Sequence, residues 1–342
     1  MQAVATTRYR NFIHGAWVET HATQWVDNVN PARTDDIIGQ VPLSTPEDVK
    51  AAIDAAAAAQ EGWNSLSAPK RAEYLWKALR IMERRKPELG ALLTREEGKI
   101  LPEALGEVQK ALNVLEYIAG EGRRIGGVTR PSEMANTFCY TVRVPLGVVG
   151  LVTPWNFPVA IPVWKIAPAI LSGNTVVFKP ATLTPGCAVM LMEILEEAGL
   201  PPGVVNLVLG SGRSVGQTLI DHPAIKAISF TGSNEVGLKL YADCAQRKIK
   251  VQCEMGGKNP IVVLSDADVP LAVESTVQGA FGSTGQRCTA TSRAVVEASV
   301  ADQFVSLLLE RIKKIKVGDG SQEGINMGPS VDEDQMSKVL EY

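Results

Sequence analysis

Histidine is scarce, with three in 342 residues. That argues against a His-based metal site or a His-dependent triad. The five cysteines, at positions 139, 187, 244, 253 and 288, form no Cys-x-x-Cys pair, which fits reduced thiols in a cytoplasmic setting rather than a disulfide framework. No sign of charge dominates: 34 Lys+Arg stand against 37 Asp+Glu, a net charge of −3. No basic stripe offers a footprint for nucleic acid. Long apolar runs are missing too. The most apolar stretch, Val159 to Leu171, is interrupted by Lys165 and falls short of the roughly 20 residues of a membrane span. The N-terminal MQAVATTRYR lacks the apolar core of a secretory signal. What is present is 45% hydrophobic content, too much for a disordered chain and ordinary for about two globular domains.

Apolar periodicity divides the chain. The first 120 residues read as strand, then helices. Residues 12–18 read as a short strand around a turn at His14 and Gly15. Thr45 is a candidate N-cap, with Pro46 in the first helical position and Glu47 and Asp48 in the first turn; an Ala-rich run extends this helix to Gln60. Further helices are predicted over 69–85 and 102–119. The segment 138–144 is β-branched and aromatic, with Thr141 and Arg143 alternating with apolar positions, which predicts a surface strand pair within 121–145. From 146 onward, short apolar strands (148–152, 175–178, 204–209, 227–230, 250–253) alternate with helices (159–171, 188–198, 215–220, 235–244). That pattern predicts a parallel sheet in an α/β fold. A second unit starts near Gly256, with strands over 261–264 and 294–296 and helices over 269–281 and 301–315.

Six local motifs carry polar chemistry. The loop Thr153–Pro158 (TPWNFP) follows a buried strand, where open α/β sheets bind ligands; the amide of Asn156 suits an oxyanion, and turn chemistry alone explains the same residues. Lys179, at the next strand end, suits a ribose or phosphate, or is a solvated charge. The run Gly210–Gly216 (GSGRSVG) resembles a dinucleotide fingerprint with one residue too many, or a Gly-rich helix start. In Phe230–Gly237, Gly232 permits close backbone approach, and Ser233 sits at a helix N-terminus that favours phosphate while also serving as an N-cap. Glu254 precedes two glycines at a strand end. Cys288 lies among Gly, Gln, Arg and Thr, an unusual setting for a core cysteine; those neighbours, Arg287 among them, favour a thiolate. Of the other cysteines, Cys253 lies nearest this chemistry, beside Glu254.

In their order, and with Glu254 and Cys288 separated by 34 positions, these motifs resemble the aldehyde dehydrogenase superfamily from about Phe12 to the chain end. The resemblance implies a Rossmann-like NAD(P)-binding domain (1–120 and 146–255), a β-hairpin oligomerisation arm (121–145) and an α/β catalytic domain (256–342). It implies Cys288 as nucleophile, Asn156 with the Cys288 backbone N–H as oxyanion donors, and Glu254 as general base. It places Thr153, Pro154, Trp155, Asn156, Lys179, Thr182, Gly212, Gly216, Gly232, Ser233, Val236 and Met255 around NAD or NADP, and it implies a homodimer or homotetramer with no metal. Thr182 stands where many NAD-preferring relatives carry a Glu, so NADP should be accepted as well as NAD. The segment Gly282–Arg293 is similar to the 2-oxoglutarate-semialdehyde (2,5-dioxopentanoate) dehydrogenase branch, which implies a small semialdehyde as substrate.

The sequence also departs from that pattern. The family's later Glu-x-Phe-Gly-Pro motif is absent, so the resemblance implies a chain that stops partway through its catalytic domain. Two rivals follow. A CoA-acylating enzyme typically lacks the general base, and Glu254 counts against it. A truncated, inactive member with a structural or binding role is the other.

Overall fold

The computed structural model describes residues 7–341. Residues 1–6 and Tyr342, on which part of the reading of both chain ends falls, lie outside them. In chain order the helices are α1 (Pro46–Ser65), α2 (Ala68–Arg84), α3 (Lys86–Glu97), α4 (Leu101–Glu121), α5 (Ala160–Leu171), α6 (Pro185–Glu197), α7 (Gly212–Asp221), α8 (Asn234–Gln246), α9 (Val269–Phe281), α10 (Ala298–Ile312) and α11 (Glu333–Glu341). α1 begins as the sequence predicts. Thr45 Oγ1 accepts the Asp48 N–H, and the Asp48 carboxylate accepts the Thr45 N–H at 2.9 Å, a reciprocal capping box.

A seven-stranded sheet forms the centre. Its spatial order is Lys250–Met255, Ile225–Gly232, Val148–Val152, Thr175–Lys179, Val205–Leu207, Asn11–Ile13, Ala16–Val18. The first five strands are parallel, and the last two are added antiparallel. The predicted strand 12–18 is thus two strands, joined by His14 and Gly15 with φ of 53° and 77°, a pair of positive angles that suits a two-residue hairpin turn. Counted from Val148, the parallel strands run 5-4-1-2-3. The order reverses beside Val148–Val152, so the crevice past the ends of that strand and Ile225–Gly232 is where such a sheet takes its ligand. Apolar clusters fill both faces, one including Phe178, Leu191 and Ile170, the other Val49, Val177 and Val215.

The polypeptide then forms a smaller parallel pair, Asn259–Val263 with Thr291–Val296. Val263 packs with Val269 and Val273 of α9 and Phe304 of α10, while Val262, Leu264 and Val295 are exposed.

Five features depart from the predicted elements. α3 and a hairpin of Trp25–Asn30 with Arg33–Pro42 occupy segments where no element was predicted. α6 starts three residues early, because Pro185 fits its first turn. In 121–145, Thr129–Arg130 pairs with Cys139–Tyr140, and the Thr141 N–H adds one bond to the Val128 carbonyl at 2.9 Å; Phe138, Tyr140, Val142 and Val144 are exposed. α7 starts at Gly212, three residues before the predicted 215, so Gly212 opens the helix and Gly216 lies inside it.

Candidate active site

Two loops and two strand ends meet past the sheet's switch point. The first loop follows Val148–Val152. Thr153 is buried, and its N–H reaches the Lys179 carbonyl at 3.1 Å; Pro154, Trp155 and Asn156 are partly buried. Asn156 Nδ2 donates to the Gln286 carbonyl at 2.8 Å. An amide nitrogen carries two hydrogens, so one remains for a ligand.

The second loop carries Cys288, whose side of the chain is exposed. Ser283, Thr284 and Gly285 have φ of 49°, 58° and 68°, a left-handed run that costs energy at the β-branched Thr284 and marks functional loops. Tertiary bonds hold it: the Ser283 N–H donates to Glu103 Oε1 at 2.8 Å, Thr284 Oγ1 to the Gly328 carbonyl at 3.1 Å, and the Val331 N–H to Gln286 Oε1 at 3.0 Å. Arg287 does not sit as the thiolate reading implied. Its guanidinium donates to the Gln278 and Gly279 carbonyls near the end of α9, sharing the first of them with the Gly282 N–H.

Glu254 ends the edge strand and lines, with Cys288, a cleft of about 690 Å³. Gln252 Nε2 donates to Glu254 Oε1 at 2.7 Å. Cys253, next in sequence, belongs elsewhere: strand alternation turns it toward α8, where its thiol lies 3.6 Å from the Gly237 carbonyl.

One cleft residue escaped the sequence reading as chemistry. Lys165 of α5 donates to Ser229 Oγ at 2.6 Å and lies 3.4 Å from Gln252 Oε1. Burial pushes its pKa down to about 8, with the Glu254 charge pulling the other way. The signal was visible: a Lys interrupts an otherwise apolar helix. Below about pH 8 the fold carries the cost of a buried ammonium, and above the ordinary lysine pKa neither folded nor unfolded chain is charged there. Wild type should therefore gain stability relative to Lys165→Met as pH rises from 8 toward 10.5, by on the order of 3 kcal/mol. Urea melts of both proteins across that range check it; a constant gap would refute a neutralising Lys165.

A dinucleotide suits the residues on the cofactor side. Lys179 is 4% exposed, burial pushes its pKa down to about 8, and Nζ donates to the Pro180 carbonyl at 2.6 Å, which leaves two of its three hydrogens for acceptors such as ribose hydroxyls. Thr153 Oγ1 is buried without a partner. A Cβ on Gly212 or Gly216 would meet open space. Gly232 and Ser233 lead into α8 at the switch point, with Ser233 Oγ accepting the Val236 N–H at 3.4 Å; the capping role is the one seen, and it leaves the positive end of the helix toward the crevice. Val236 is exposed there. The Met255 sulfur occupies the space a Cβ on Gly237 would need. Thr182 is partly buried in the turn before α6, whose N-cap is Thr184. Among the described residues no group of three or more His, Cys, Asp and Glu is placed to hold a metal ion, and no helix is long and apolar enough to cross a membrane.

Residues 17–342 match the aldehyde dehydrogenase family. The chain is 48% identical over 334 residues to an alpha-ketoglutaric semialdehyde dehydrogenase of Bacillus subtilis, covering 98% of this chain and 68% of the relative. Among solved structures it is similar to an NADP-dependent enzyme of Escherichia coli, with a TM-score of 0.95, 39% identity, and coverage of 98% of this chain and 69% of that one. It is also similar to an NAD-dependent aldehyde dehydrogenase of Sinorhizobium meliloti, with a TM-score of 0.96, 33% identity, and coverage of 98% and 67%.

Proposed function

The chain belongs to the aldehyde dehydrogenase family, and from that premise we propose that it oxidises a small semialdehyde to the carboxylate with NAD or NADP. The observation that carries the reading is the shared cleft of Cys288 and Glu254, with Asn156 bonded to the carbonyl two residues before the thiol. Cys288 Sγ attacks the aldehyde carbon, and the second hydrogen of the Asn156 amide, with the Cys288 N–H, holds the oxyanion. Bound nicotinamide supplies the hydride acceptor that leaves a thioester on Cys288. Glu254 then takes a proton from water as that water attacks the thioester; the C–S bond breaks, the carboxylate leaves and Cys288 is left as the thiolate. The presence of Glu254 favours hydrolysis over transfer to CoA, and the convergence of all three groups favours an enzyme over an inactive structural relative.

A 2-oxoglutarate-semialdehyde-like substrate is supported by the Bacillus relative's name and by the segment Gly282–Arg293. The full chain should reduce cofactor fastest with short semialdehydes, whose aldehyde stands at the opposite end from a single carboxylate; no reduction with any aldehyde would sink the reading. The five free thiols fit a cytoplasmic enzyme. The exposed apolar side chains of the 121–145 arm support a homo-oligomer, for which light scattering gives the mass.

Cofactor choice rests on Thr182. A carboxylate there would accept bonds from ribose hydroxyls and repel a 2′-phosphate, so its absence admits NADP. Thr182→Glu should lower kcat/KM for NADP while sparing NAD. An unchanged NADP/NAD ratio would mean that other residues set the preference.

A further inference from the structure

Lys99 is 1% exposed, between α3 and α4. Its Nζ donates to Glu107 Oε2 at 2.8 Å and to the backbone carbonyl of Asn156 at 2.8 Å, and stands 4.2 Å above the Phe157 ring. Glu97 Oε2 lies 3.8 Å away. The other oxygen of Glu107 accepts the N–H groups of Val159 and Ala160 at 2.9 and 3.1 Å. A buried ion pair is rarely retained for stability, since apolar residues of the same volume serve as well. This one grips a single segment at both ends. Lys99 holds the carbonyl of Asn156, and Glu107 holds the first amides of α5. With Nδ2 tied to the Gln286 carbonyl, little freedom remains to the Asn156 side chain. One turn earlier on α4, Glu103 holds Ser283 of the cysteine loop, so one helix face fixes both loops.

We propose that the buried Lys99–Glu107 pair is a positioning device that aims the Asn156 amide at the oxyanion formed over Cys288. The inference rests on the roles given to Asn156 and Cys288 above. It goes beyond them in assigning catalytic consequence to two residues that touch neither substrate nor cofactor. Misplacing a donor by about 1 Å costs up to about 10²-fold in rate.

The test separates aim from integrity with two reagents for Cys288 in the full chain, neither of which needs a cofactor. With p-nitrophenyl acetate the thiol adds to the carbonyl through an oxyanion; the S–C bond forms, the C–O bond breaks, p-nitrophenolate leaves, and the thiol proton goes to solvent. With iodoacetamide the thiolate displaces iodide from carbon, and no oxyanion forms. Asn156→Ala should slow acylation by about 10²–10³-fold. Lys99→Met should slow it by about tenfold or more, and iodoacetamide should alkylate both variants at the wild-type rate. The double variant should acylate no more slowly than Asn156→Ala alone, since Lys99 acts through that amide. Glu107→Gln keeps an acceptor for the α5 amides but turns an NH₂ toward Lys99, so it should reproduce Lys99→Met; it carries the test if Lys99→Met does not fold. Wild-type acylation in both Lys99→Met and Glu107→Gln overturns the proposal, as do losses that multiply in the double variant or an equal fall in alkylation. Wild-type acylation in Asn156→Ala instead overturns the reading of Asn156 on which it stands.

Discussion

Cys288→Ala should abolish dehydrogenase turnover, by about 10⁴-fold or more, and leave cofactor affinity intact. The size of the effect follows from the lack of a substitute. The thioester route needs a cysteine thiolate, and Cys288 is the exposed thiol of the five. Burial raises the Cys187 pKa well above the usual range and pushes Cys244 up to about 11. The Cys253 thiol is raised by the same cause and faces α8. Cys139 lies in the short strand Cys139–Tyr140, paired with Thr129–Arg130 away from Glu254 in sequence and sheet. Steady-state rates, with fluorescence titration of the reduced cofactor, check both halves. Residual activity above a few per cent would remove Cys288 from the mechanism.

The second large effect is Glu254→Gln, which should lower steady-state turnover by about 10²–10⁴-fold, the usual contribution of a general base. The amide preserves shape beside Gln252 but cannot take a proton from water. Hydride transfer precedes water attack, so the first turnover should survive better than the later ones. Stopped-flow absorbance should show a burst of reduced cofactor followed by a slow phase. An unchanged steady state would assign the base elsewhere; a loss without a burst would place the role of Glu254 in deprotonating the thiol.

The strands past 146 were legible as short apolar runs between helices; the central ones, Val148–Val152 and Thr175–Lys179, are buried on both faces, while Lys250–Met255 at the edge is not. Once those strands were placed, Asn156, Gly232, Ser233 and Glu254 fell at strand ends by their positions alone. Other parts were hidden for physical reasons. α3 begins with Lys86 and Pro87, and although proline suits a first turn, the N-cap position is Arg85 with no side-chain cap bond, so no capping residue announces the helix. The start of α7 was placed at 215 rather than at Gly212 because glycine is a poor helix former, yet tertiary packing of Val215 and Leu219 holds a helix that begins there. Lys99, Glu97 and Glu107 look like solvated charges in a one-dimensional reading. Their burial comes from partners as far as Asn156, 57 positions along the chain, and no local window contains that contact. Arg287 was misread for the converse reason: adjacency to Cys288 in sequence was taken as adjacency of charge, while its guanidinium reaches back to α9.

The antiparallel strand Asn11–Ile13 has a consequence for the time course of synthesis. Phe12 pairs with Leu207, so the segment emerges early but finds its place only after nearly two hundred further residues. At about 5–20 residues per second, that is a wait of roughly 10–40 s on the ribosome. Throughout that wait the Asn11–Ile13 edge is without its partner and is open to any neighbouring nascent chain. The first hairpin is therefore made long before the strand it covers, and crowding on polysomes is the circumstance in which that delay should matter most.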